Sequence, residues 1–110
     1  MVKQELLRTK NILSVLFRER KIKLDRVVFF GSQVTSKAGK DSDIDIIAVS
    51  KNFRGKDIFA KIEMANGISA ALVKVLHKPV DLLYYSDKEW ESGSSIIMNT
   101  AKHEGLVFSK

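Results

Sequence analysis

The sequence predicts an α+β protein of mixed α/β layers, a small mixed sheet flanked by helices. Apolar residues recur at helical spacing in some stretches, short runs of β-formers separate them, and the two patterns alternate within 110 residues. Such alternation builds layers around one sheet. A length of this order is expected to form one domain, residues 1–110, around a single core.

Leu6, Leu7, Leu13, Leu16 and Phe17 place an amphipathic helix over residues 3–21. Val27 to Phe30 is a buried strand, stopped by the turn pair Gly31-Ser32. Residues 33–42 are small and polar, with Gly39, Asp41 and Ser42 as turn chemistry. Ile44 to Val49 is a second buried strand with Asp45 inside it, and Ser50 to Gly55 is a loop. Ile58, Ile62, Ala65, Leu72, Val75 and Leu76 mark one long helix, with a soft spot at Asn66-Gly67. Pro79 opens a third strand, Val80 to Tyr85, because proline is tolerated at a strand's first position. Ser86 and Glu89 form a capping box for a helix reaching about His103. Gly105 is its C-cap, and Leu106 to Phe108 is a last short strand.

The chain has no cysteine and only two histidines, His77 and His103, both expected on the surface. Disulfide scaffolds, thiol catalysis and cysteine- or histidine-built metal centres are thereby set aside. Lys and Arg number 19 against 13 acidic residues, a net charge of +6. Most of the excess lies in residues 1–26, where Lys3, Arg8, Lys10, Arg18, Arg20, Lys21, Lys23 and Arg26 face Glu5, Glu19 and Asp25. That segment suits phosphates, nucleic acid or an acidic protein surface, and equally a solvated helix face. Charges interrupt every apolar run, so neither a secretory signal nor a membrane helix is expected, and a cytoplasmic location is.

The chemistry concentrates in Gly31-Ser32 and in Asp43-Ile44-Asp45, with Asp81 later. Aspartates at i and i+2 on a strand share a face, about 6.5 Å apart at their α-carbons. Two carboxylates held together repel unless a cation lies between them, and a hard oxygen-seeking ion such as Mg²⁺ suits them. Asp81 sits in an otherwise apolar strand and joins the pair if that strand neighbours Ile44 to Val49; otherwise a lysine salt bridge explains it. After a strand, Gly31 allows close approach of a phosphate, Ser32 donates a hydroxyl, and free N–H groups complete an anion cradle. Other motifs fail on position. Asp41, Asp43 and Asp45 imitate an EF-hand start, but Ile46 replaces its glycine and Asn52 its glutamate. Gly39-Lys40 is followed by Asp41, where a Walker A loop needs Ser or Thr.

Gly31-Ser32, Asp43-x-Asp45 and the later Val80-Asp81-Leu82 resemble the nucleotidyltransferase superfamily that includes DNA polymerase β. In length and order the chain is most similar to the minimal prokaryotic nucleotidyltransferases of HEPN–MNT toxin–antitoxin pairs. Supporting similarities are Phe53 to Lys56, Tyr84-Tyr85 and Glu104-Gly105. The resemblance implies a polymerase β-like fold in which Gly31 and Ser32, with Gln33, Lys37 and Lys40, hold a nucleoside triphosphate. It implies that Asp43, Asp45 and Asp81 bind two Mg²⁺ ions, with Asp81 helping to activate an acceptor hydroxyl. ATP is the implied substrate, and a tyrosine of a HEPN toxin is the implied acceptor of AMP. Two positions depart from the pattern: Gln33 stands where arginine is common, and Ser36 where a glycine is. Lys37 or Lys40 can compensate.

Two other functions compete with a transferase. One is a nucleotidyltransferase-fold module with weak or no catalysis that acts by binding a protein partner. The other is nucleic-acid binding through the basic N-terminal helix, against which stands its single aromatic residue, Phe17. Trp90, Phe59, Tyr84 and Tyr85 are expected in the core or an interface, and Met64 and Met98 as core filling.

Overall fold

A computed structural model describes residues 3–30, 44–93 and 106–109. Helix α1 (Lys3–Glu19) turns Leu6, Leu13 and Phe17 into the core, one stripe at heptad-like spacing. Thr9 and Ser14 are buried beside them, and their hydroxyls donate to the carbonyls of Glu5 (2.8 Å) and Lys10 (2.9 Å). Both polar groups are thereby satisfied inside the helix's own backbone.

Strands β1 (Arg26–Phe30), β2 (Ile44–Val49), β3 (Val80–Tyr85) and β4 (Leu106–Ser109) form one sheet in the order β3-β2-β1-β4. β1 runs antiparallel to β2 and β4, whereas β2 and β3 are parallel. Every residue of β2 except Asp45 is buried. Its near-continuous apolar run follows from burial on both faces.

On the first face, Val27, Phe29, Ile44, Ile46 and Ala48 meet α1 and helix α3 (Ile68–Leu76), which contributes Ile68 and Leu72. On the second face, Val28, Ile47 and Val49 pack against Trp90 of helix α4 (Asp87–Ser92). The expected mixed sheet in layers is the observed fold.

The single helix expected through residues 58–76 is two helices, α2 (Ile58–Met64) and α3. Gly67 takes φ +87°, and Arg20 Nη2 lies 2.8 Å from where a β-carbon would stand. A left-handed residue cannot continue a helix, and the guanidinium packs into the space glycine leaves. Apolar periodicity runs through the break because Ala65, Ile68 and Leu72 all still face the core.

At Ser86 the capping box is present as expected: its hydroxyl accepts from Glu89 N–H (3.0 Å), and Glu89 Oε1 accepts from Ser86 N–H (2.9 Å). The helix it starts closes at Ser92, with Gly93 left-handed at φ 59°, short of the expected reach to His103. Met98, His103 and the expected cap Gly105 lie outside the described residues.

Within the expected loop 50–55, Lys51–Phe53 forms a 3-10 turn. It buries Phe53 edge-on against Phe17 (6.2 Å between ring centres) and Tyr84 (5.5 Å). His77 is exposed, as expected, and Met64 packs partly buried against the core. Among the described residues, no helix is long and apolar enough to cross a membrane.

Candidate active site

Parallel pairing sets Asp45 of β2 directly opposite Asp81 of β3, and antiparallel pairing sets Phe30 of β1 opposite Asp45. The backbone enforces this register. Ile44 N–H donates to the Pro79 carbonyl (2.9 Å) at one end of β3, and Ser50 N–H to the Tyr85 carbonyl (3.0 Å) at the other.

Strand alternation then fixes the face. Ile44 and Ile46, Val80 and Leu82, and Phe29 all point to the first face. Asp45, Asp81 and Phe30 therefore project from the second, in one row across three strands. Trp90 covers Val28, Ile47 and Val49 further along that face, so the row lies beyond the α4 layer.

Adjacent strands are ~4.8 Å apart, so the two carboxylates can reach a common point. Asp45 is half-buried and Asp81 exposed. Among the described residues no ion pair holds Asp81. Two like charges at this spacing repel by ~0.8 kcal/mol in a water-like dielectric and ~3 kcal/mol at an effective dielectric of 20.

Gly31, Ser32, Gln33, Lys37, Lys40 and Asp43 lie outside the described residues. In the chain, Gly31 follows Phe30 and Asp43 precedes Ile44, the two strand ends that flank the row. Among the described residues no group of three or more metal-ligating side chains forms; the pair Asp45 and Asp81 is what the sheet itself brings together. Its donor set is oxygen only, which fits a hard divalent cation. Beside Ile44, at the same end of the sheet, a cavity of about 190 Å³ is lined by Glu5, Arg8, Thr9, His77 and Lys78, among others.

A second polar cluster was not foreseen in the sequence. Lys61 of α2 is only 5% exposed and donates to Glu89 Oε1 at 2.6 Å, with its ammonium 5.6 Å from the centre of the Tyr85 ring. Burial pushes the Glu89 carboxyl up, but Lys61 and the Ser86 N–H outweigh it and hold it below the usual range. The one available signal was a lysine at i+3 from Ile58 on an apolar helix face. Lys61 also lines an apolar groove of about 300 Å³ between α2 and β3. Nearby, Arg54 pairs in two-pronged fashion with Asp87 (2.7 Å from Nε), holding that carboxyl at about 2.

A family model for the nucleotidyltransferase domain matches residues 10–103. The chain belongs to the nucleotidyltransferase domain family. Solved structures share this nucleotidyltransferase fold. A chain of a toxin–antitoxin crystal structure with AMP-PNP superposes with a TM-score of 0.64 at 24% identity, covering 91% of this chain and 73% of that one. A chain of the tri-AMPylated Shewanella oneidensis HEPN toxin in complex with MNT antitoxin gives 0.59 at 22% identity, covering 94% and 72%. A chain of the toxin–antitoxin MntA–HepT gives 0.58 at 22% identity, covering 94% and 73%. No curated protein matches this nucleotidyltransferase domain by sequence.

Proposed function

We propose that the chain is a Mg²⁺-dependent transferase of the cytoplasm that moves AMP from ATP to a hydroxyl. The acceptor in this reading is a tyrosine of a HEPN toxin, making the chain the antitoxin of the pair. The observation that carries the transferase reading is the register of Asp45 against Asp81, on one face of the sheet, beside the strand end that precedes Gly31-Ser32. The partner and the acceptor draw support from the fold shared with a complex of an AMPylated HEPN toxin and its MNT antitoxin.

In this reading Gly31, Ser32 and Gln33, with Lys37 and Lys40, bind the triphosphate through N–H, hydroxyl and ammonium donors. Asp43, Asp45 and Asp81 supply oxygen ligands for two Mg²⁺ ions. When bound, the ions supply charge stabilisation to the phosphoryl group being transferred. The acceptor oxygen attacks the α-phosphorus, the bond to the β-phosphate oxygen breaks, and pyrophosphate leaves. Asp81, exposed on its strand, takes the hydroxyl proton. Holding acceptor and nucleotide in line is the chain's main contribution, because no covalent enzyme intermediate is needed.

The test is transfer of label from α-labelled ATP to a HEPN-type toxin, with Mg²⁺. The expected result is labelled toxin, with transfer lowered about 100-fold or more by Asp45→Asn. An unlabelled toxin, or an Asp45→Asn variant as active as the wild type, would refute the reading.

A further inference from the structure

Backbone hydrogen bonds gather cations that the sequence keeps apart. Helix α1 ends in a Schellman turn: Ile22 N–H donates to the Phe17 carbonyl (3.0 Å) and Lys21 N–H to the Arg18 carbonyl (2.9 Å). Lys21 is left-handed there, at φ 59°. Lys23 N–H donates to Asn52 Oδ1 (2.8 Å), and Lys51 N–H to Asp25 Oδ2 (2.8 Å). Asp25 N–H donates in turn to the Val49 carbonyl (2.8 Å). These bonds hold the α1–β1 connection against the 3-10 turn that follows β2. Arg18, Lys21, Arg26 and Lys51 are thereby set around one end of the sheet, and all four are exposed. Arg26 pairs with Val49, whereas Phe30 pairs with Asp45. Four residues of strand, ~13 Å, therefore separate this end from the aspartate row.

Among the described residues none of these four makes an ion pair. Asp25, its side chain 17% exposed, lies 3.9 Å from Lys23, and Arg20 packs against Gly67. Attraction to the helix dipole accounts for Arg18, in the last turn of α1. It does not account for Arg26 or Lys51, which lie on other elements. Like charges held together by backbone repel, and the repulsion is relieved when an anion covers them.

We infer that this basic end binds the phosphate backbone of a double-stranded nucleic acid. The apolar residues around it choose that occupant. Ile22, Leu24 and Phe53 are all buried here, and the large apolar side chains that are exposed among the described residues lie on α1, α2 and α3. A protein interface is built around an apolar centre, whereas phosphate binding is electrostatic and needs none. Single strands are held by stacking bases on aromatic rings, and the ring at this end, Phe53, is fully buried. A duplex, which presents phosphates outward, remains. The surface is distinct from the Asp45–Asp81 row, and the inference is independent of the transferase reading.

Fluorescence anisotropy of labelled DNA and RNA duplexes of arbitrary sequence, titrated with the full chain in EDTA, tests it. Four phosphate contacts predict a slope of about −3.6 in log affinity against log salt, or roughly 100-fold weakening between about 50 and about 200 mM. Lys21→Gln combined with Lys51→Gln should bring that slope to about −1.8. Circular dichroism of this double variant should match the wild type, because both side chains are exposed. Arg8→Gln combined with Lys74→Gln removes the same charge elsewhere, Arg8 lying at the cavity beside Ile44, and should leave the slope unchanged. Tighter binding of one duplex identifies the source of the phosphates, and equal binding is recognition of phosphate alone; both support the inference. No binding at about 50 mM salt overturns it, as does an equal effect of the two double variants, which would make net charge the cause. A single strand that binds more tightly than either duplex also overturns it. Poly-glutamate that competes as well as duplex does the same, and assigns this end to an acidic protein.

Discussion

Replacing Asp81 with asparagine separates what the aspartate row does for stability from what it does for function. Asp81 is exposed and stands opposite Asp45 across a parallel ladder. With no cation bound, the pair repels by ~0.8 kcal/mol at the dielectric of water, and more where Asp45 is half-buried. At that separation a Debye length of ~10 Å in 0.1 M salt leaves most of the repulsion in place. Asp81→Asn should therefore raise the metal-free unfolding temperature by about 3–6 °C, taking ~4–8 °C per kcal/mol for a domain of this size. On the proposed reading, in which the pair holds Mg²⁺, adding the ion should reverse the order. A cation at about 100 times its Kd stabilises the wild type by ~2.7 kcal/mol, or roughly 10 °C and more, and the variant by much less. Thermal unfolding followed by circular dichroism, with EDTA and then with Mg²⁺, measures both terms. A variant less stable than the wild type in EDTA would refute the reasoning. So would a variant that gains as much from Mg²⁺ as the wild type does.

Two further outcomes concern the region around α4. Glu89→Ala strips the carboxylate from Lys61, whose side chain is 6% exposed, and dismantles the capping box. Because Glu89 itself is 41% exposed, the loss should be about 2 kcal/mol, below that of a fully buried pair. Lys61→Met keeps the apolar stem and should cost under about 1 kcal/mol; equal losses in urea unfolding would refute this asymmetry. Burial pushes the Tyr84 phenol up to about 12, so the folded chain holds that proton more tightly than the unfolded chain does. Its contribution to stability is complete below the ordinary tyrosine value near 10 and is lost as pH rises from there through about 12. Tyr84→Phe should flatten that alkaline loss in unfolding midpoints measured between pH 9 and 12. At the acid end the Arg54–Asp87 pair has the opposite sign: its contribution is complete above about 4 and is lost as pH falls through about 2.

Most of the fold was legible because local rules were obeyed. Val27 to Phe30, Ile44 to Val49 and Val80 to Tyr85 are apolar runs bounded by turn chemistry, and each is a strand within one residue of the expected bounds. The break between α2 and α3 was not legible from periodicity, because the core demands apolar residues on both sides of it. Only the left-handed Gly67, with Arg20 packed against it, decides the geometry. Phe59 shows the same limit. An aromatic residue on an apolar helix reads as core or interface, and exposure excludes the core.

Residue types and spacing alone carried the acidic chemistry, the absence of cysteine and the identity of each candidate ligand, because those are properties of the chain before it folds. They left open whether Asp81 meets Asp45, since residues 36 positions apart become neighbours only if their strands are adjacent, parallel and in register. Folding settled that through the hydrogen bonds from Ile44 to Pro79 and from Ser50 to Tyr85, which hold the ladder in place at its two ends. A slip of one residue would have turned Asp81 to the opposite face from Asp45. Long-range backbone pairing, which has no signature in either strand by itself, is the physical reason that two isolated aspartates became neighbours across one ladder.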